Sequence, residues 1–222
     1  MNNLYFDVET IPAETHMIKK LYETIKPPAS IKKPETIEKW HREQAPAVLA
    51  EKVHKLGLKP LYCQVICIGV RINDDPVRSF YGEDEFKVLR EFLDLCRDRG
   101  ITGDNTRWIG HNIINFDLPV LRTCCLRNRQ FPTALPRMRN YRRPTFVLDT
   151  LQVLQHQYKE YQGLGMDDLA ELFHLPPKTG GLDGSKVYEE YMAGNLDKIA
   201  EYCEGDVLLA YDLAQLICAY YL

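Results

Sequence analysis

Gln64-Val65-Ile66-Cys67-Ile68-Gly69-Val70-Arg71-Ile72 is an apolar run of strand length, followed by Asn73-Asp74-Asp75-Pro76 and then by Val77–Tyr81. A β-branched run bounded by Asn, Asp and Pro reads as a strand, a turn and the returning strand of a hairpin. That early hairpin decides the sheet, because whatever pairs with it later makes the sheet mixed. Upstream, Leu4-Tyr5-Phe6-Asp7-Val8 reads as a first strand, short and apolar. Downstream, Phe86, Leu89, Phe92, Leu93 and Cys96 recur at helical spacing, which predicts an amphipathic helix over 84–98. Trp108–His111 and Thr145–Leu148 read as further short strands, with a helix from about Leu118 to Leu126 between them. From Leu151 onward the pattern is mainly helical. The last helix is expected to begin near Asn195, a favourable N-cap, and to run toward Tyr220. Strands alternating with helices give an α/β fold class, a mixed sheet of about five strands flanked by helices.

Residues 12–60 fit this alternation least. Lys26-Pro27-Pro28, Lys32-Lys33-Pro34 and Ala45-Pro46 interrupt any long helix. Short helices around Glu14–Ile25 and Glu35–Arg42 are expected. The stretch reads as a polar insertion over one end of the sheet, within a single domain spanning 1–222. The chain has 222 residues, 45% hydrophobic and 27% charged, with a formal charge of −3. Such a chain buries a real core without staples. Seven cysteines, none in a C-x-x-C pair, argue against a structural zinc site, and a reduced, cytoplasmic setting is expected. No apolar run is long enough to span a membrane, and the N-terminus has no basic segment and apolar core of signal-peptide type.

Three motifs carry chemistry. Asp7-Val8-Glu9 places two carboxylates two apart on a strand, hence on one face. They repel one another and are costly to bury unless a cation sits between them, and Mg²⁺ takes oxygen ligands; the alternative is a solvated strand end. Asp117, in Gly110-His111-Asn112-Ile113-Ile114-Asn115-Phe116-Asp117, follows a strand and opens a helix, where a carboxylate also serves as a cap. Tyr202 and Asp206, in Tyr202-Cys203-Glu204-Gly205-Asp206, are i and i+4 on one helix face, beside an apolar stripe of Ile199, Cys203, Ala210, Leu213 and Ile217; the alternative is a Tyr–Asp pair at a core margin. His111 reads as structural. Asp149-Thr150 reads as a helix start or a support beneath the site, and Glu83-Asp84-Glu85 as an acid-rich first helical turn.

D-x-E on the first strand, N-x-x-x-F-D after a later strand and Y-x-x-x-D on the last helix, in that order, resemble the tyrosine branch of the DEDD exonucleases, with their ribonuclease H-like fold. The F-D ending and Tyr202-Cys203-x-x-Asp206 look most like the proofreading exonuclease domain of B-family DNA polymerases, and in particular a stand-alone family of predicted 3′–5′ exonucleases related to it. The resemblance runs from Asp7 to Asp206. It implies that Asp7, Glu9, Asp117 and Asp206 hold two divalent metal ions, Mg²⁺ or Mn²⁺, and that Tyr202 orients the attacking water. It implies single-stranded DNA as substrate, with RNA as the alternative and a non-catalytic nucleic-acid-binding module as the rival of another class. Thr10, Asn112, Phe116 and Lys178 are the implied substrate contacts; Phe116 also reads as core and Lys178, in Pro176-Pro177-Lys178-Thr179-Gly180, also as a surface loop residue. Proofreading would require a separate polymerase or repair partner.

Residues 118–148 hold seven arginines (Arg122, Arg127, Arg129, Arg137, Arg139, Arg142 and Arg143) and no acid. They read as a backbone-binding arm or as a solvated loop.

Overall fold

Eight of the ten residues of Cys63–Ile72 are buried, as expected of a strand covered on both faces. In the computed structural model, which describes residues 1–13, 16–157, 165–178 and 181–221, this strand (β2) lies beside β1 (Asn2–Pro12) in a five-stranded sheet. The other strands are β3 (Arg78–Tyr81), β4 (Thr106–Gly110) and β5 (Val147–Asp149), and the spatial order is β3-β2-β1-β4-β5. β1 is antiparallel to β2 and parallel to β4; β5 is parallel to β4. The sheet is mixed because the hairpin β2–β3 folds back beside β1.

Alternation along β1 separates its two faces. Leu4, Phe6 and Val8 join Trp108, Leu89, Phe92, Leu118 and Leu121 in one core, beneath α4 (Glu85–Asp98) and α5 (Asp117–Arg127). Phe6 and Phe92 both meet the Trp108 ring edge-on. Tyr5 faces the other way, into a core with Ile109, Leu148, Val207, Leu213 and Ile217. That second face is covered by α9 (Leu196–Tyr221). Asp7 and Glu9 share the parity of Tyr5, so they point toward α9.

Between β1 and β2 lie α1 (His16–Thr24), α2 (Pro34–Glu43) and α3 (Ala45–Gly57). The first two match the expected helices, although Glu14, where the first was expected to start, lies outside the described residues. The third was not expected, because Pro46 reads as a breaker. It occupies the first turn, where a missing N–H is harmless. α3 buries Leu49, Val53 and Leu56, and Gly57 abuts Pro12, where a Cβ would lie 3.2 Å from the ring.

Two strand boundaries and one helix face differ from the sequence reading. β1 runs to Pro12, because β2 pairs with it from Leu4↔Ile72 to Pro12↔Cys63 and supplies hydrogen bonds beyond the apolar stretch. Asp7 and Glu9 therefore lie within the strand and not at its end. β5 starts at Val147, since Thr145 and Phe146 belong to a turn in which the Phe146 and Val147 amides donate to the Arg143 carbonyl. Phe86 is not on the buried stripe of α4; it is 44% exposed. The helix itself starts as expected, with the Asp84 carboxylate accepting from the Phe86 and Lys87 amides.

Glu85, read as a dipole-favouring surface acid, is buried. Its carboxylate accepts from the Val65 amide at 2.8 Å and from Arg127 and Asn128 at the end of α5. It ties β2, α4 and α5 together. Glu85→Ala would orphan the Val65 N–H and leave Arg127 without its counter-ion. We expect a loss of about 2–4 kcal/mol, below the figure for a fully buried pair because Arg127 keeps a solvent edge. Urea denaturation would measure it, and an unchanged midpoint would refute the structural role.

Candidate active site

Asp7 pairs across the ladder with Gly69, and Glu9 with Cys67. A Cβ on Gly69 would meet Val207 Cγ2 at 2.9 Å, Cys203 Sγ at 3.0 Å and the Cys203 carbonyl at 3.1 Å. The missing side chain is what lets α9 lie directly on β2 beside Asp7. Cys203 Sγ then reaches the Asp7 carbonyl at 3.5 Å and Asp7 Oδ2 at 3.6 Å, and ligand atoms of Asp7, Glu9 and Cys203 fall within 4.8 Å of one another. A bulge follows, between Glu9 and Thr10. The Thr10 hydroxyl donates to the Gly57 carbonyl at 2.7 Å and ties the bulge to α3.

A second close approach brings in Asp117. A Cβ on Gly110 would lie 2.7 Å from the Phe6 carbonyl and 2.4 Å from Ile113 Cγ2, so only glycine lets the turn after β4 fold against β1. Asp117 is the first residue of α5, and its Oδ1 accepts from the Val8 amide at 3.1 Å, between Asp7 and Glu9. Asp149 supports that turn. Its carboxylate accepts from the amides of Asn112 and Ile114 and also from Leu151 and Gln152, which caps α6 (Thr150–Gln157). Asn112 takes positive φ (58°) there, a conformation asparagine tolerates. Its side-chain oxygen accepts from Asn115. Phe116 is partly buried against the first core. The His111 ring contacts the Thr150 hydroxyl at 2.9 Å, and burial pushes its pKa down to about 4, which fits a neutral structural histidine.

From α9, Tyr202 and Asp206 complete the cluster; both are buried. The Lys178 ammonium lies 2.5 Å from Asp206 Oδ1, 3.4 Å from Asp167 and 5.1 Å from the centre of the Tyr202 ring. The buried Asp206 carboxylate therefore has the Lys178 ammonium as its immediate ionic partner. Thr179 and Gly180 lie outside the described residues. Two contributors carry no distinctive sequence signal. Asp167, in the first turn of α7 (Met166–Leu172), meets Lys178, and Gly184 leaves room for the Tyr202 hydroxyl, 3.1 Å from where its Cβ would stand. With Leu182 and Asp183, ahead of α8 (Val187–Met192), they border an open cleft of about 450 Å³ beside Asp206.

All four carboxyls titrate above the ordinary carboxylate range. Burial is the main cause for each; for Asp7 the charges of Asp206 and Asp117 add to it, and for Glu9 that of Asp7. Asp117 is pushed up to about 8. Asp206 rises less freely because Lys178 opposes its shift. Burial pulls Lys178 down, but Asp206 outweighs it and the ammonium stays charged. Burial and the same carboxylates push the Tyr202 hydroxyl far up, so it is a neutral donor. Acidic oxygens crowded this way are a donor set suited to hard divalent cations.

Residues 59–216 match the model of a family described as predicted 3′–5′ exonucleases related to the exonuclease domain of PolB. The chain belongs to this family. Among curated proteins none matches this exonuclease by sequence. In fold it is similar to a family B DNA polymerase from the archaeon Pyrobaculum calidifontis, with a TM-score of 0.62 and 19% identity over 98% of the chain. It is also similar to Escherichia coli exonuclease I, a structure solved with a dT13 oligonucleotide, with a TM-score of 0.51 and 13% identity over 99% of the chain. It spans 24% of the polymerase and 40% of exonuclease I. The mixed five-stranded sheet is thus that of the ribonuclease H-like exonucleases. No helix among the described residues is long and apolar enough to cross a membrane.

The seven arginines of 118–148 divide. Arg127 holds Glu85, Arg137 meets Asp104 at 2.8 Å, and Arg122 holds the Tyr141 hydroxyl at 2.6 Å and the Pro136 carbonyl. Arg129, Arg139, Arg142 and Arg143 are exposed and have no acidic partner among the described residues.

Proposed function

We propose that this exonuclease hydrolyses the terminal phosphodiester at the 3′ end of single-stranded DNA, by a metal-dependent mechanism of the DEDD type with tyrosine. The observation that carries it is that β1, α5 and α9 bring Asp7, Glu9, Asp117, Tyr202 and Asp206 close enough to act on one another's charge, with Tyr202 and Asp206 lining an open cleft. Asp7, Glu9, Asp117 and Asp206 would hold two divalent ions, Mg²⁺ or Mn²⁺. When bound, such a pair supplies charge at both the attacking and the leaving oxygen of an in-line displacement. The single-stranded substrate is supported by the fold shared with exonuclease I, solved with an oligonucleotide, and by the acid-free arginine segment.

The protein's own groups then have separate tasks. The neutral Tyr202 hydroxyl orients the attacking water. Lys178 is held over the cleft by Asp206 and meets the scissile phosphate. Asn112 and Phe116, on the turn that delivers Asp117, contact the terminal nucleotides. Thr10, its hydroxyl committed to Gly57, fixes the bulge after Glu9 where the terminal nucleotide lies. Residues 12–60 form an insertion that covers this end of a single domain. A cytoplasmic setting and a separate polymerase or repair partner complete the reading.

The test is a gel assay with matched 5′-labelled single-stranded DNA and RNA, with Mg²⁺, with Mn²⁺ and with chelator. A metal-dependent ladder on DNA, shortening from the 3′ end, is the expected result. A ladder on RNA alone would refute the substrate, and no cleavage of either would refute the activity. In the same assay Tyr202→Phe should slow cleavage about 10²-fold, the scale of a misplaced reactant, with metal affinity unchanged by calorimetry. A rate equal to the parent's would remove the hydroxyl from the mechanism.

A further inference from the structure

A second cleft, of about 550 Å³, opens on the other side of the turn that carries Asp117. Its floor is Ile114, Pro144, Val147 and Val153, and its polar rim includes Asn115, Tyr141, Arg142, Gln152 and Gln155. The single acid among the described residues of its lining is Asp149. That carboxylate is buried and accepts from four backbone amides, so it presents little negative charge to the opening. Arg142 is the opposite case, an exposed guanidinium with no acidic partner among the described residues.

The position follows from topology. β1, β4 and β5 are parallel, so their C-terminal ends lie on one edge of the sheet. Asp7 and Glu9 lie on β1 beyond its last pairing with β4 (Tyr5↔Ile109), Asp117 opens the helix after β4, and this cleft sits at the end of β5. Asn115 and Ile114 belong to the same turn as Asp117, two and three residues before it. An apolar floor suits the face of a nucleobase, amides suit base edges and sugar oxygens, and a free guanidinium suits a phosphate. Among the described residues that line it, the one acid, Asp149, is engaged by backbone amides.

We infer that this cleft is a nucleotide subsite for the strand upstream of the cleaved bond, with Arg142 on a phosphate and the Ile114–Val153 floor beneath a base. It rests on the nuclease reading for its direction but not for its chemistry. The subsite predicts that affinity grows with strand length as the upstream nucleotides reach it, and that the growth depends on Arg142.

Fluorescence anisotropy of a labelled single-stranded oligothymidylate, in chelator so that no cleavage intervenes, tests it directly. Arg142→Glu should weaken binding about tenfold or more, the scale of one charge-assisted phosphate contact. Arg142→Lys should recover part of that loss, and the salt dependence should flatten in Arg142→Glu. In the cleavage assay KM of the parent should fall from the dinucleotide to the long strand, and Arg142→Glu should lose that gain. Equal affinities for parent and Arg142→Glu, or an unchanged length dependence, would overturn the subsite. Absence of cleavage by the parent would overturn the nuclease reading alone and leave the anisotropy comparison to decide the subsite.

Discussion

Replacing Asp206 by asparagine is expected to lower 3′-nucleotide release on the order of 10³-fold or more, while leaving the fold in place. Asparagine keeps the volume of the side chain, so Val207, Cys203 and Leu213 can pack as before. What changes is charge. The Asp206 carboxylate is buried, with the Lys178 ammonium 2.5 Å from Oδ1, so its negative charge is held inside the site. Loss of one preorganised charge-stabilising group already costs about 10²–10³ in rate. Removing a carboxylate that would hold a metal ion should exceed that. Lys178 adds a second effect, because its position over the cleft depends on Asp206, and Asp167, at 3.4 Å, is the remaining anchor. Asp7→Ala should be equally severe, since Asp7 lies nearest Cys203 and α9. The measurements are single-turnover cleavage and the circular dichroism of both variants. Folded variants that retain most of the parent's activity would refute the assignment.

Divalent metal is expected to raise the melting temperature by about 5–10 °C at neutral pH, and chelator should expose a pH dependence of unusual sign. Asp7, Glu9, Asp117 and Asp206 titrate above their ordinary range, through burial first and mutual repulsion next. The folded protein therefore holds protons that the unfolded chain has already released. Stability from these groups is highest below the unfolded carboxylate range of about 4. It is lost as pH rises toward the folded values, about 8 for Asp117. In chelator the melting temperature should fall between about pH 5 and 8 on this account. Metal at about 100 times its dissociation constant adds about 2.7 kcal/mol, which gives the stated shift for a domain of this size. Asp7→Asn removes one of the repelling charges. It should melt above the parent in chelator and lose most of the metal response. A parent protein with the same melting curve in metal and in chelator would rule out the metal centre.

How much of this was legible can be judged from particular residues. Leu4–Val8 and Gln64–Ile72 were readable as short apolar runs bounded by polar residues, and the 84–98 helix by its apolar residues at a period of 3.6. The acids were readable as motifs because type and spacing survive without coordinates. The strand extension to Pro12 was not, since it depends on pairing with Cys63–Ile72, a partner far along the chain. α3 was hidden because Pro46 looks the same in sequence whether it breaks a helix or opens one. Glu85 and Arg127 look like surface charges until α4 and α5 are brought together over β2.

Composition, apolar runs and hydrophobic period by themselves determined the α/β class and the order of the strands, and motif order named the side chains proposed for the chemistry. These are local properties, set by side-chain shape and by spacing along the chain. Tertiary structure alone decided that Gly69 admits α9, that Gly110 admits the turn bearing Asp117, that Asp149 is spent on backbone amides and that Arg142 meets no acid among the described residues. Each depends on close approach between segments distant in sequence, which packing fixes and no local pattern encodes.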